Sequence, residues 1–376
     1  MGLSKKFFSV LLLGCVLAFG ASVSSLGSEP AYAQSKSKTS ARQNQARLMQ
    51  AIKEGDMDAL EAALKAGAKV NKRTKYRNPR GDVTFSEKES PLGFALRYKQ
   101  SDVVKRLLDA GAKPNSFTGN YNVYRPIHAA AVKDDIASIK ALLDAGADIE
   151  MLDGSQRTAL YLAADYGHAG AVSYLLYRGA DVRGGSHSPQ ERSALHMAAL
   201  APSVLACEIL LDARAKVDIV RHFYGTPLFW ASLNARTPTI WYLVENGADP
   251  NRVINQTMIL GRYHFNLSSI GVADLWAKKH MGNNPRRYKR YSQIVEFLEA
   301  NKAPETINEK RAKRRQERSQ RHKAREAFWD AYAGEIKTSK QAVEHPEFWA
   351  TFQDSTQQLV EYLATDEGKE LMKSYK

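Results

Sequence analysis

The chain has 376 residues, 44% of them hydrophobic, enough to bury a substantial core, and a formal charge of +14. That balance favours acidic partners, whether anionic lipid, a polyanion or an acidic protein face. Of its two cysteines only Cys207 survives cleavage of the leader, which excludes an internal disulfide.

Lys5 and Lys6 precede an uncharged apolar run from Phe7 to Val23, and Ala31-Tyr32-Ala33 supplies the small-x-small pattern of a signal peptidase site. The reading is a cleavable signal peptide over 1–33 and a periplasmic or secreted product. A retained membrane anchor and a lipoprotein modified at Cys15 rank below it. The run is marginal for a span, and the residues after Cys15 stay apolar where a lipoprotein turns polar. Residues 34–44 follow as a flexible linker.

A helix ending in a Gly-Ala turn then recurs, at Gly67-Ala68, Gly111-Ala112, Gly146-Ala147, Gly179-Ala180 and Gly247-Ala248. Arg214-Ala215 fills the missing step, and Lys302-Ala303 closes a degenerate last unit. The turn residue must take a left-handed conformation, which glycine reaches without strain; Arg214 and Lys302 are expected to cost on the order of 1 kcal/mol each. Each unit starts with a cap and a first-turn residue: Ser90-Pro91-Leu92, Arg125-Pro126-Ile127, Thr158-Ala159-Leu160, Ser193-Ala194-Leu195 and Thr226-Pro227-Leu228. Paired alanines allow close helix approach, and paired leucines such as Leu142-Leu143 and Leu210-Leu211 supply the second helices.

Over about residues 45–303 this pattern resembles the ankyrin-repeat family, with seven units, the first and last atypical. The resemblance implies an all-α solenoid of helix–turn–helix repeats with hairpin loops. Gln45–Asn71 reads as an N-terminal cap. Insertions are expected at Lys72–Glu89 and Arg252–Phe265, and a lengthened loop at Gly282–Tyr291.

Residues 304–376 form a tail that resembles no named family. Nine Lys/Arg and one acid, Glu317, lie between Lys310 and Arg325. The expectation is a long solvated helix, carrying Lys313, Arg314, Arg315 and Arg318, that lies outside the repeat core. It acts as a spacer, touches anionic lipid or lipopolysaccharide, or meets an acidic protein; nucleic acid is disfavoured outside the cytoplasm. Aromatic residues further on, including Phe328, Trp329, Phe348 and Trp349, are available for burial, against the last repeat or in a small bundle.

No His-x-x-x-His or Cys-x-x-Cys spacing supports a metal, no phosphate loop or nucleophile elbow occurs, and no cofactor is expected. His128 and His196 stand where the family keeps a histidine that bonds loop backbone, and Cys207 reads as a buried thiol. The chain is therefore read as a binding protein rather than an enzyme. In the family, partners meet the hairpin tips and the ends of the first helices. Those places hold Tyr121, Asn122, Tyr124, Arg157, Arg192, His222, Phe223 and Tyr224 at the tips. Arg97, Tyr98, Lys133, Asp165, Tyr166 and Asn234 stand at the helix ends. The resemblance implies a partner protein, as for an inhibitor or immunity partner of an envelope enzyme. The alternative is a scaffold whose C-terminal helical region contacts the anionic envelope.

N-terminal sequencing of the protein from a soluble periplasmic fraction is expected to begin at Gln34, with Ala33→Leu blocking processing. An intact Met1 or a diacylated Cys15 contradicts this.

Overall fold

The computed structural model describes residues 31–74, 89–118, 124–184, 192–201, 204–220, 225–259, 262–345, 347–348 and 351. The apolar run, the interior of the first insertion, Trp349 and the aromatics beyond 351 lie outside these residues. The chain divides into two compact units, residues 1–43 and 44–376. Of the first unit, the described residues form the start of a helix. The stretch 34–44, expected to be a flexible linker, is helical; its Ala, Gln, Lys and Arg favour that state.

Helices come in consecutive pairs. The first four are α1 (Ala31–Glu54), α2 (Met57–Lys65), α3 (Pro91–Arg97) and α4 (Ser101–Asp109); α5 (Pro126–Val132), α6 (Ile136–Asp144), α7 (Ala159–Asp165) and α8 (Ala169–Tyr177) follow. Then come α9 (Ala194–Leu200), α10 (Leu205–Asp212), α11 (Pro227–Leu233) and α12 (Thr237–Glu245). The last pair is α13 (Ser269–His280) and α14 (Pro285–Ala300). From α3 to α13 the first helices pack on first helices, and from α4 to α10 second helices pack on second helices. The alanine pairs explain the spacing: Ala130, Ala131, Ala163, Ala164, Ala198 and Ala199 are buried completely.

Caps fix where the short first helices begin. Ser90, Thr158 and Thr226 each accept an N–H from three residues on. The second helices are closed by the Gly-Ala turn: Gly111 N–H donates to the Leu108 carbonyl and Ala112 N–H to that of Leu107, both at 2.9 Å. Turn glycines have φ near 80–93°, and Arg214 adopts 69° without being glycine. Lys302 does not adopt the left-handed state, because the chain leaves α14 through Asn301 and the extended Ala303. Polar residues after the turns clasp the next unit: Asn71 donates to the Gly111 carbonyl at 2.9 Å and Asn115 to that of Gly146 at 3.2 Å. Asp218 accepts from Asp249 N–H at 3.0 Å.

The insertion at 252–265 is an antiparallel hairpin, β1 (Ile254–Ile259) and β2 (Arg262–Leu267), with Ile254 opposite Leu267. Ile254 is buried against Phe229 and Val272. The lengthened loop expected at Gly282–Tyr291 is shorter than that. Residues from Pro285 onward belong to α14, capped by Asn284, because Pro at the first turn starts a helix as readily as it ends one.

The largest correction concerns the tail. Helix α15 (Pro304–Tyr332) spans about 43 Å, and it is not a solvated spacer. Ile307, Arg314, Arg321, Arg325, Phe328 and Trp329 are buried along one face. The helix crosses the second helices in reverse order. Lys310 pairs with Glu245 at 2.7 Å, and Arg318 donates to the Asn246 carbonyl at 2.9 Å. Arg321 and Arg325 both reach Asp212, at 2.8 and 2.6 Å, and that carboxylate has no exposure. Trp329 donates to Ser173 at 2.7 Å and meets the Tyr174 ring edge-on, centroids 5.0 Å apart. Asp330 accepts from the Tyr177 hydroxyl at 2.7 Å. Beyond α15, the Lys337 carbonyl accepts from Ile136 N–H at 2.7 Å, and α16 (Ser339–Glu344) packs on α8. Gly247 is required here by space as well as conformation, since a Cβ there would run into the Arg311 side chain. Of the four cations expected to face outward, Arg314 is buried and Arg318 half-buried, while Lys313 and Arg315 are exposed. The charges turn inward because α10 presents Glu208 and Asp212 one turn apart, both buried beneath the helix.

The framework histidines bond backbone as expected. His128 Nε2 lies 2.9 Å from the Arg157 carbonyl, and His196 Nε2 lies 3.0 Å from that of Gly225. Burial pushes the His128 imidazole down to about 4. Burial likewise pushes the Cys207 thiol well above its ordinary range, so it is an inert core residue.

Two outcomes follow from these contacts. Asp212→Ala leaves two guanidinium groups buried without their carboxylate and should cost about 3–5 kcal/mol, released by undocking α15. Limited trypsin digestion is expected to cut the 310–325 stretch rapidly in the variant and slowly in the parent; equal resistance contradicts the docking. His128 is neutral in the folded protein down to about pH 4, whereas the unfolded chain protonates near 6.5. Its contribution is complete above pH 6.5 and falls through the window from 6.5 to 4, by about 3 kcal/mol in all. His128→Gln should therefore flatten the loss of denaturant midpoint between pH 7 and pH 4.5; an unchanged slope contradicts it.

Candidate partner-binding face

The first-helix layer carries the other chemistry. The turn before α7 is built on Asp153, whose carboxylate accepts from the N–H groups of Ser155 and Arg157 at 2.8 and 2.9 Å. The same buried carboxylate holds the Arg157 guanidinium at 2.8 Å. Arg157 is thereby fixed in place with its guanidinium 5.7 Å from the centre of the Tyr124 ring. Tyr166, at the end of α7, lies in the field of Tyr124 and stacks on His168 at 5.9 Å. His168 in turn contacts the Val132 carbonyl at 3.2 Å, which fixes the ring from below.

Asp165 lies in the field of two arginines, Arg157 and Arg192. Burial raises its carboxyl pKa, and those two cations oppose the rise. Arg192 continues the surface by covering the Trp230 ring of α11, 4.5 Å from the centroid. Tyr124, Arg157, Asp165, Tyr166, Arg192 and Trp230 thus form one array across successive repeats. Tyr166 is its most outward member, half-exposed.

The other expected residues divide into three groups. Arg97 is bound to Glu89 in a two-point ion pair, at 3.0 and 3.1 Å, and Tyr98 packs edge-on against Phe94; this pair stays at the N-terminal repeats. Lys133 and Asn234 are exposed helix ends, and Asn234 caps its own helix by donating to the Trp230 carbonyl at 2.9 Å. Tyr121, Asn122, His222, Phe223 and Tyr224 lie outside the described residues. Trp230 was passed over in reading the sequence. It stands at the helix position that holds Ala129, Leu162 and Met197 in the preceding units, so a tryptophan there is the signal that could have found it.

Among the described residues no three His, Cys, Asp or Glu side chains cluster as a metal site. Arginine stacked on aromatics, with one carboxylate between two guanidinium groups, offers cation–π contact, hydrogen bonding and rigid apolar area. It offers no nucleophile beside a base.

The family model of ankyrin repeats (3 copies) matches residues 92–185 and 183–254. The ankyrin repeat protein nuc-2 of Neurospora crassa is 26% identical over 162 residues, 43% of this chain and 15% of the relative. The palmitoyltransferase AKR1 of Lachancea kluyveri is 29% identical over 170 residues, 45% of this chain and 23% of the relative. The chain therefore spans less than a quarter of the length of either. The ankyrin repeat domain of human ASB11 superposes with a TM-score of 0.50 at 22% identity, covering 68% of this chain and 98% of that domain.

Proposed function

The chain carries ankyrin repeats, and from that premise we propose that it binds one partner protein outside the cytoplasm through the concave, first-helix face, centred on Tyr166. Ankyrin repeats are protein–protein interaction modules, and the location rests on the leader pattern alone. The observation that supports the face is the array of Tyr124, Arg157, Tyr166, Arg192 and Trp230 drawn from successive repeats. Tyrosine, tryptophan and arginine dominate binding hot spots, because rigid aromatic area is buried at low entropic cost. Here the arginines are held in advance by Asp153 and Trp230, so little freedom is lost on binding.

The partner is an acidic or mixed surface able to engage two guanidinium groups flanking a carboxylate. Inhibition or protection of an envelope enzyme is a role this face would serve. The alternative, a scaffold that offers its basic tail to the anionic envelope, loses support because Arg318, Arg321 and Arg325 engage the repeats and Arg314 is buried. The palmitoyltransferase activity of AKR1 belongs to a protein more than three-quarters of which this chain does not cover.

A partner recovered from the native envelope fraction and purified should bind the parent in calorimetry. Changing Tyr124, Tyr166 and Arg192 together to Ala should keep the helical circular-dichroism signal. It should cost several kcal/mol of affinity, at about 2 kcal/mol per hot spot. Tyr98→Ala should cost less. Parent-like affinity in the triple variant contradicts this assignment of the face.

A further inference from the structure

Helix α15 does not spend all of its cations on docking. Where it passes the turn after α10 it leaves a cleft of about 450 Å³. Arg214 and Lys216 line the cleft from the turn; Arg311, Arg315 and Arg318 line it from the helix. The one carboxylate in the wall, Asp212, is already engaged by Arg321 and Arg325. Arg311 reaches the Gly247 carbonyl and Asp218, and Arg318 reaches Asn246. Among the described residues, the side chains of Arg214, Lys216 and Arg315 make no hydrogen bond or ion pair. Three cations without a side-chain partner and two partly used ones therefore share one concavity open to water, in which an entering anion would meet several guanidinium groups at once.

A second observation comes from the backbone. Arg214 holds the left-handed turn conformation, φ 69°, that Gly111, Gly146, Gly179 and Gly247 hold in other repeats. A long charged side chain stands at a strained position, and such strain collects where a ligand is clamped. The position also aims Arg214 into the cleft from the side opposite α15.

We propose that this cleft binds a compact polyanion bearing two or more phosphate-type groups, either free in solution or as a lipid head group. Guanidinium forks from two elements suit phosphate oxygens, which accept paired N–H donors. The site lies on the second-helix side and is independent of the first-helix face. It exists only while α15 is docked, because three of its five cations come from that helix.

The test uses the full chain, with inorganic pyrophosphate as the soluble probe and phosphatidylcholine vesicles with or without cardiolipin, whose head group carries two phosphates, as the lipid probe. Pyrophosphate is expected to raise the melting temperature of the parent. Arg315→Gln should weaken binding about tenfold. Arg214→Gly should weaken it similarly while raising the melting temperature of the unliganded protein, a pairing that a purely structural role for Arg214 would not give. Lys313→Gln removes the same charge from the exposed side of α15 and should change neither. Binding of pyrophosphate alone identifies a soluble ligand. Flotation with cardiolipin vesicles that pyrophosphate competes away and Arg315→Gln abolishes identifies a head group. The proposal is overturned if neither probe binds, or if Lys313→Gln weakens binding as much as Arg315→Gln.

Discussion

The carboxylate of Asp212, buried at the end of α10 beneath two arginines, is the interaction on which the second-helix side depends. Burial opposes the charge on Arg321, yet the hydrogen bonds and field of Asp212 outweigh it and raise its pKa. A buried ion pair of this kind contributes little net stability, because desolvation offsets attraction. What it contributes is register. Only one placement of α15 brings Arg321 and Arg325 onto Asp212 while Trp329 meets Ser173 and Arg318 meets Asn246. The stabilisation comes from the apolar end of the helix, where Phe328, Trp329 and Phe348 pack within 6.4 Å of one another and against Tyr174.

A solenoid without such a strap leaves its second-helix side to water. Here Tyr174, Glu208, Asp212 and Tyr242 are buried on that side, and burial, followed by Glu208 and Asp212, raises the Tyr242 hydroxyl pKa well above its ordinary value. The two surfaces of the repeats are then assigned differently. The first-helix face keeps an open aromatic and arginine array, while the second-helix face is occupied by the chain's own tail. That division leaves a first-helix face in which a carboxylate, Asp165, lies in the field of Arg157 and Arg192 although the chain as a whole is strongly basic.

Much of this was legible in the residues. The Gly-Ala turns, the Ser/Thr caps and the paired alanines locate the repeats, because each answers a local demand of backbone or spacing. Arg214 was legible as a left-handed residue for the same reason, and Lys302 was not, since the last unit lacks the turn that would impose the conformation. The tail was misread because its composition is that of a solvated helix. The overlooked signal is the spacing of Arg311, Arg314, Arg318, Arg321 and Arg325, alternately three and four apart, which puts them on one face. Their acids, Glu208 and Asp212, stand about a hundred residues earlier, and no local pattern joins the two. The array on the first-helix face was half legible. Helix ends and turn tips gave Tyr124, Arg157, Asp165, Tyr166 and Arg192, whereas Trp230 lies within a helix and joins them through the cation–π contact with Arg192.

The central claim is that α15 is part of the repeat core rather than an appendage. Native-state hydrogen exchange on the unmodified chain tests it most directly, because opening free energies report which segments unfold together. The account predicts that amides from about Arg318 to Trp329 share the protection and denaturant dependence of α8 and α10. Exchange of that stretch orders of magnitude faster than α10, with no dependence on denaturant, would contradict it.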